Sequence, residues 1–238
     1  MNIAYLCDKG LLREENEDSI WVDDIENLFM VSDGMGGHEK GCVASTMVID
    51  CFRMFPKEFN QNKWDKFNKK SIKSLLQVVL NKHVEKVTKS LYSYAYEHLS
   101  KNEILGATIA GLYKVKSLNK WMIFHLGDSR VYKFSSFKLT QLTSDHTVSQ
   151  FQSHTLNKAI GNFPIISLEI NYLNIKKNDF LILCSDGVSD YLSNDELFDL
   201  IVKYYYSLAL LCQYLKELIY KRGAKDNLSI IILEVGVL

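Results

Sequence analysis

Two patterns of apolar and polar residues follow one another along the chain, and their order predicts the secondary structure. Short apolar runs bounded by polar turns predict strands near the start, in the middle and at the end. The predicted strands cover residues 3–7, 19–22, 28–32, 166–173, 180–184 and 228–234, with four more between residues 106 and 142. These runs are four to eight residues long, which is the usual length of a strand.

Helical periodicity appears in four other segments. Residues 39–54, 71–99, 194–203 and 207–221 carry apolar side chains three or four positions apart, and Ser193 or Asn194 can cap the third helix. Strands and helices come in runs rather than in strict alternation, which favours antiparallel sheets with helices packed outside them. Because no repeat or Gly/Pro-rich linker separates the runs, we expect one domain over residues 1–238.

Composition narrows the classes of function. Apolar residues make up 47% of the chain, and 28 basic residues balance 28 acidic ones, so no net charge recruits nucleic acid or an anionic membrane. No apolar run reaches the length of a membrane-spanning helix, and the start does not resemble a signal peptide. The five cysteines lack CxxC spacing, which favours reduced thiols and a cytoplasmic location.

Aspartates beside glycines follow three of the predicted strands. Asp33, Asp128 and Asp186 each adjoin a glycine at such a strand end, and Asp226 directly precedes the last strand. One Asp-Gly pair is more often a turn, but three at the ends of apolar strands favour a common site. Gathered carboxylates repel one another unless cations lie between them, and their oxygens suit magnesium and manganese. Two such ions about 4 Å apart can bind a phosphate and activate water.

The segments around these aspartates resemble the metal-dependent protein phosphatase family, type 2C, and in particular its compact bacterial branch. Eight matching blocks follow the family's order over nearly the whole chain. They are 13–19 (REENEDS), 33–38 (DGMGGH), 39–45 (EKGCVAS), 106–108 (GAT), 126–132 (LGDSRVY), 142–147 (LTSDHT), 183–190 (LCSDGVSD) and 223–229 (GAKDNLS). The resemblance implies an α+β fold, a four-layer αββα sandwich of two antiparallel sheets flanked by helices.

The resemblance also implies a metal centre of two Mn²⁺ or Mg²⁺ ions. Asp33 would bridge both ions, and the carbonyl of Gly34 would serve one of them. The other residues implied to bind or support the ions are Asp186 and Asp226 at one ion, Glu17 and Asp18 through water, and Asp128 with Asp186 at a third, weaker ion, with Asp190 as a further contributor.

The implied reaction is hydrolysis of phosphoserine and phosphothreonine in proteins by a water that bridges the two ions. Arg13 matches the arginine that binds the substrate phosphate, because its planar fork suits that anion. Met35 occupies the place of a histidine found in many eukaryotic relatives, so His38 becomes the candidate proton donor. A structural His38, with a bound water as the donor, is the alternative. The expected partners are phosphoproteins of a serine/threonine kinase, acted on by a monomer.

Two departures from the family pattern limit this expectation. Cys42 stands where relatives carry a glutamate, and only residues 147–155 fill the place of a longer, helical flap that shapes the substrate groove. Two other functions therefore stay open. One is a catalytically silent relative that binds phosphoproteins, although Asp33, Asp186 and Asp226 are all retained. The other is a metal-dependent phosphatase for small molecules.

Overall fold

The computed structural model describes residues 1–36, 40–59, 64, 67–100, 103–148, 155–156, 158–163 and 166–236. Its thirteen strands are β1 (Asn2–Asp8), β2 (Asp18–Asp23), β3 (Leu28–Met35), β4 (Gly106–Ala107), β5 (Ile109–Val115), β6 (Lys120–Leu126), β7 (Arg130–Ser135), β8 (Lys138–Gln141), β9 (Thr147–Val148), β10 (Thr155–Leu156), β11 (Glu169–Leu173), β12 (Phe180–Cys184) and β13 (Leu228–Glu234). Its six α-helices are α1 (Gly41–Phe52), α2 (Phe55–Phe59), α3 (Lys69–His98), α4 (Asp186–Ser189), α5 (Asn194–Tyr204) and α6 (Leu208–Lys221). These counts refer to the described ranges.

The strands form two sheets in which every pairing is antiparallel. The first sheet has the order β1-β13-β12-β7-β8, and the second has the order β11-β6-β5-β3-β2 with β4 added to β3. Strands β9 and β10 pair with each other at the segment where a flap was expected, and residues 149–154 of that segment lie outside the described ranges.

Alternation along the central strands places one set of side chains between the sheets and the other set under the helices. In β3, Phe29 and Val31 face the opposite sheet, whereas Leu28 and Met30 belong to the core beneath α1 and α3. Leu181 and Leu183 of β12 meet them from the first sheet. Because the central strands are buried on both faces, β12 and β13 are apolar almost throughout, whereas edge strands such as β1 and β8 are partly exposed. This arrangement confirms the predicted four-layer αββα sandwich.

The helices begin where their capping residues allow. Ser193 accepts a hydrogen bond from the amide of Glu196, whose carboxylate accepts one from the amide of Ser193 in return, so α5 starts with a capping box. Ser193 is thus the cap among the two predicted candidates. The side chain of Asn68 accepts a hydrogen bond from the amide of Ser71 and caps α3, which therefore starts at Lys69 and not at the predicted Ser71. Within α3, His83 is 2% exposed and its Nδ1 lies 2.9 Å from the carbonyl of Val79, which indicates a structural role.

Three local features were not predicted. Strand β3 continues beyond residue 32 to Met35 because Gly34 and Met35 pair with β4. A short helix, α2, follows α1, with Pro56 in its first turn, where the missing N–H costs nothing. The Asp186-Gly187 pair, which resembles a turn in the sequence, opens helix α4 instead. No helix among the described residues combines the length and the apolar character needed to cross a membrane.

Candidate metal centre

An open cleft of about 630 Å³ lies at the edge of the sandwich where β3 and β12 end and β13 begins. The described residues that line it include most of the predicted site. They are Arg13, Glu17, Asp33, Gly34, Met35, Gly36, Ile104, Asp128, Asn162, Asp186, Asp226 and Asn227. Asp18 lies next to this cleft, 5% exposed and paired across the sheet with Asp33. His38 lies outside the described residues, so the structure does not place it.

Asp33 is fixed through its backbone. Its amide donates to Oγ1 of Thr108 at 2.9 Å, and its carbonyl accepts from the amide of Thr108 at 2.8 Å. Thr108 is in turn held by the hydroxyl of Ser129 at 2.6 Å. Burial raises the pKa of Asp33 well above its ordinary value, and the charges of Asp18 and Asp186 raise it further. The carboxylate is therefore rigidly placed where its charge is costly.

Asp18 is the second carboxylate whose negative charge is costly. Its Oδ2 accepts from the hydroxyl of Ser185 at 2.7 Å, while its buried Oδ1 has no hydrogen-bond partner. Burial raises the pKa of Asp18 to about 7, with Asp186 and Asp226 adding to the effect and the serine hydrogen bonds opposing it. Ser185 also accepts from the amide of Ser229 at 3.0 Å, so β12 and β13 both orient Asp18.

Asp186 and Asp128 lie close to Asp18 and Asp33, and we call these four carboxylates the crowded group. Asp186 is the first residue of α4, and its buried Oδ1 has no hydrogen-bond partner. Burial raises the pKa of Asp186, and burial followed by the charge of Asp186 raises the pKa of Asp128 to about 7. Carboxylates with raised pKa values and unpaired buried oxygens need either protons or cations. The oxygen-rich donor set fits manganese or magnesium, so the residues present suit the expected ions.

Gly34 allows the backbone to pass close to the start of α1. A Cβ atom at Gly34 would lie 1.9 Å from the carbonyl oxygen of Gly41 and 2.9 Å from that of Glu17. Glu17 joins the same contact, because its Oε1 accepts from the amide of Gly41 at 2.8 Å. A side chain at position 34 would therefore force apart β3, α1 and the segment that carries Glu17.

Arg13 supplies the positive charge of the cleft. Among the described residues that line the cleft it is the single basic side chain, and its guanidinium lies 2.9 Å from Asp226 and 3.6 Å from Glu17. Asn227 holds the loop that carries Arg13. The side-chain nitrogen of Asn227 donates to the carbonyls of Lys9 and Glu15 at 2.9 Å each, and its side-chain oxygen accepts from the amide of Glu17 at 2.8 Å.

Asn227 is a site residue that sequence reasoning did not assign. It stands directly after Asp226, in one of the blocks that carry the family resemblance, and that position is the signal that could have identified it. Its role depends on contacts with residues more than 200 positions away in the chain.

His146 holds the backbone beside Asp128. Its amide donates to the carbonyl of Gly127 at 2.9 Å, and its Nδ1 accepts from the amide of Gly127 at 3.0 Å. Its Nε2 therefore carries the proton and donates to Glu169 at 2.8 Å. These three hydrogen bonds give His146 a structural role in ordering its loop. Gly127 has φ +115°, a conformation that favours glycine.

A second group of possible metal ligands lies behind this loop. His125, His146 and Glu169 place one ligand atom each within 4.8 Å of one another. His146 has the wrong tautomer for a metal because Nδ1 already accepts a hydrogen bond. Burial lowers the pKa of His125 to about 4, so its ring is neutral and packs on His146. Both histidines are therefore structural.

Arg130 also has a structural role. Its guanidinium forms three hydrogen bonds with the carboxylate of Asp145, at 2.6–3.0 Å, and a fourth with the hydroxyl of Tyr132 at 3.1 Å. Both charged partners are about four-fifths buried. This pair ties the start of β7 to the loop that carries His146.

Comparison with known proteins relates this chain to phosphatases. A family model described as protein phosphatase 2C matches residues 9–219. A serine/threonine phosphatase, stp, from Listeria welshimeri is 26% identical over 253 residues, covering 98% of this chain and 96% of the relative. The crystal structure of the Mycobacterium tuberculosis serine/threonine phosphatase PstP/Ppp superposes with a TM-score of 0.81 at 24% identity, covering 99% of each chain.

A second crystal structure, of the PstP catalytic domain in complex with two manganese ions, gives a TM-score of 0.80 at 24% identity. The match covers 99% of this chain and 98% of that one. At this identity the two structures establish the likeness of the fold, and the family match covers most of the chain.

Proposed function

The chain belongs to the protein phosphatase 2C family, and we propose that, as a metal-dependent protein serine/threonine phosphatase, it hydrolyses phosphoserine and phosphothreonine by direct attack of water. One observation carries the proposal. The cleft brings Asp33, Asp128 and Asp186, whose pKa values are raised, together with one arginine. Such a group can bind cations and, through them and Arg13, a phosphate.

The ligands of the ions are proposed from the family resemblance, and the acidic lining of the cleft supports them. By that resemblance Asp33 would be shared by two Mn²⁺ or Mg²⁺ ions. The remaining proposed ligands and supports are the carbonyl of Gly34 at one ion, Asp186 and Asp226 at the other, Glu17 and Asp18 through water, and Asp128 with Asp186 and Asp190 at a third, weaker ion. When bound, the ions supply a water of lowered pKa and positive charge toward the phosphoryl oxygens.

Arg13 is proposed to bind the phosphoryl group of the substrate. A guanidinium can donate two parallel hydrogen bonds to phosphoryl oxygens, and its charge offsets the negative charge that builds up on them during the reaction. Asp226 and Asn227 hold the arginine and its loop at the cleft before substrate binds. The chain thus pre-positions the group that orients the substrate.

The reaction transfers one phosphoryl group to water. The new bond joins the water oxygen to phosphorus, and the bond between phosphorus and the seryl or threonyl oxygen breaks. The leaving oxygen then takes a proton, for which His38 is the proposed donor and water is the alternative. Cys7 and Cys184 have no part in this scheme, since burial raises the pKa of each thiol.

The finer parts of the function are proposals of the same kind. The substrates would be phosphoproteins made by a serine/threonine kinase, and the enzyme would act as a cytoplasmic monomer without binding nucleic acid or membrane. Equal numbers of acidic and basic residues, 28 of each, support the last of these statements.

The test measures phosphate release from a phosphothreonine peptide with manganese and with a chelator, for the wild type and Asp33→Asn. We expect activity that requires metal and that is lost in the variant. The matched control is Asp24→Asn, an exposed aspartate in the β2–β3 turn, which should behave as the wild type does. A wild type that binds manganese yet releases no phosphate from peptides or small phosphoesters would favour the silent binding protein. Activity on small phosphoesters alone would favour the small-molecule phosphatase.

A further inference from the structure

The lining of the cleft contains two kinds of side chain. The carboxylates and Arg13 account for the phosphate and the ions. Met35, Ile104 and Asn162 are uncharged, and the reaction scheme does not use them. We call these three residues the neutral wall. A cleft of about 630 Å³ is within the range of pockets that hold ligands much larger than a phosphoryl group.

Three separate segments converge to build the neutral wall. Met35 ends β3, Ile104 lies just before β4, and Asn162 follows a bridge in which Ala107 and Ile160 exchange two hydrogen bonds of 2.9 Å. Gly106 lets Met35 and Asn162 approach the same point. A Cβ atom there would lie 2.9 Å from Cε of Met35 and 3.2 Å from Oδ1 of Asn162. The wall is therefore part of the folded scaffold.

The wall presents apolar surface and an amide to the cleft. Ile104 is 60% exposed at the mouth of the cleft, although it is a large aliphatic residue. Oδ1 of Asn162 is buried and has no hydrogen-bond partner, which is a costly state for a polar atom. A half-turn of the amide exchanges its oxygen and nitrogen, and the group can both donate to and accept from a peptide bond.

The charges of the cleft favour uncharged neighbours of the phosphorylated residue. Glu17, Asp33, Asp128, Asp186 and Asp226 line the cleft together with Arg13, and the described neutral wall offers no cation. Because Arg13 and the proposed ions are taken up by the phosphoryl group, an acidic residue packed against the neutral wall would lose hydration without gaining a positive partner. An aliphatic residue there would cover Ile104 and remove apolar surface from water.

We propose that Met35, Ile104 and Asn162 form a subsite that binds the residue next to the phosphorylated serine or threonine and selects substrates in which that residue is aliphatic. This inference rests on the proposed phosphatase function and names the class of phosphoprotein that the site prefers. Ile104 and Met35 contact the aliphatic side chain, and the amide of Asn162 pairs with the peptide backbone beside it.

The experiment compares phosphothreonine peptides that differ in the one residue before or after phosphothreonine, which is leucine, serine or aspartate. It also measures p-nitrophenyl phosphate, which has no neighbouring residue. For the wild type with manganese, kcat/KM should be about 5-fold to 10-fold higher with leucine than with serine on one side, and lowest with aspartate. Each result is compared as a ratio to p-nitrophenyl phosphate, so that loss of general activity cancels.

Ile104→Ser is the decisive variant, because an exposed residue can change without loss of folding. We expect its preference for leucine over serine to fall to about 1-fold to 2-fold, since the apolar contact is removed. Ile25→Ser is the matched control, an 81% exposed isoleucine in the β2–β3 turn, and it should keep the wild-type preference. Asn162→Ala should lower kcat/KM for all peptides more than for p-nitrophenyl phosphate.

The outcomes separate this inference from the function on which it rests. Equal kcat/KM for leucine, serine and aspartate peptides in the wild type would overturn the subsite and leave the phosphatase intact. An unchanged preference for leucine over serine in Ile104→Ser would also overturn the subsite and leave the phosphatase intact. If the metal-loaded wild type hydrolysed neither peptides nor p-nitrophenyl phosphate, the proposed function would fall, and the subsite with it.

Discussion

Two groups of aspartates in this chain have opposite surroundings. In the cleft, Asp18, Asp33 and Asp128 lie near other carboxylates, and burial raises the pKa of each. Asp8 and Asp179 do not line the cleft, and we call them the scaffold group. Asp8 receives hydrogen bonds from Lys216 and Tyr220, and Asp179 receives them from Lys133, Ser135 and a backbone amide. These bonds outweigh burial and lower the pKa of both Asp8 and Asp179.

The difference shows which carboxylates hold the fold together and which are kept for a ligand. A paired carboxylate stabilises the native state because its charge is favoured there. A crowded carboxylate without a cation destabilises the native state, and it is retained where function requires it. The two groups should therefore respond in opposite directions to mutation, metal and acid.

The largest effect is expected at the centre of the crowded group. Asp33→Asn should lower metal-dependent kcat/KM by on the order of 10³-fold, because a shared ligand of the ions is lost. The same change should raise the metal-free unfolding free energy by about 1 kcal/mol, since one negative charge leaves the cluster. Urea unfolding in chelator measures the second effect. A clear loss of metal-free stability would place Asp33 with the scaffold group and break the comparison.

Manganese should reverse the penalty of the crowded group. At a free concentration one hundred times its dissociation constant, a ligand of the native state adds about 2.7 kcal/mol to the unfolding free energy. For a chain of this size, that corresponds to a rise in Tm of about 5–10 °C. Thermal unfolding with manganese and with chelator measures the shift. Asp33→Asn should lose most of it while Asp24→Asn keeps it, and an equal shift in both variants would mean that the ion binds elsewhere.

A scaffold pair should respond in the opposite way to the cleft. Arg130→Met leaves Asp145 without its main partner in a largely buried place, so the unfolding free energy should fall by about 2 kcal/mol. Arg53→Met is the control, because Arg53 and Asp50 form an exposed pair whose loss should cost under about 1 kcal/mol. Chemical denaturation compares the two variants. Equal losses of unfolding free energy in the two variants would show that burial of the Arg130–Asp145 pair adds nothing to stability.

The smallest effect is the response of the scaffold group to acid. Since the folded pKa of Asp179 lies below its ordinary value of 3.8, its stabilisation is present above the unfolded pKa and is lost as the pH falls through the folded value. In chelator, stability should therefore decline below about pH 4. Asp179→Asn should decline by about 1 kcal/mol less than the wild type between pH 5 and pH 2. Parallel pH profiles of the two proteins would contradict this role.

Much of the fold could be predicted from periodicity. The strands Phe180–Cys184 and Leu228–Glu234 agree with their predicted bounds, because both lie in the centre of a sheet that is buried on two faces. Helix α4 was missed because Asp186-Gly187 also satisfies the requirements of a turn. The extension of β3 was missed because its partner, β4, lies about seventy residues further along the chain.

The site residues also divide into those that the sequence identifies and those that it does not. The acids of the cleft were identifiable because each follows or precedes an apolar strand, and strands that end at one sheet edge bring their ends together. Asn227 and Asn162 were not identified, since their roles depend on side-chain contacts between distant segments. The sequence indicates which residues can bind ions and phosphate, whereas the contacts show which residues hold them in place.

The pairing of β1 with β13 also bears on how this protein is made. Asn2 lies opposite Glu234, and β13 stands between β1 and β12, so the first sheet has a gap in its middle until the last strand arrives. During synthesis on a ribosome, Asp226 and Asn227 emerge just ahead of that strand. The nascent chain can therefore assemble its second sheet early, whereas the cleft closes only after β13 has been synthesised. Until then the chain would be inert, and activity would appear once β13 joins the first sheet.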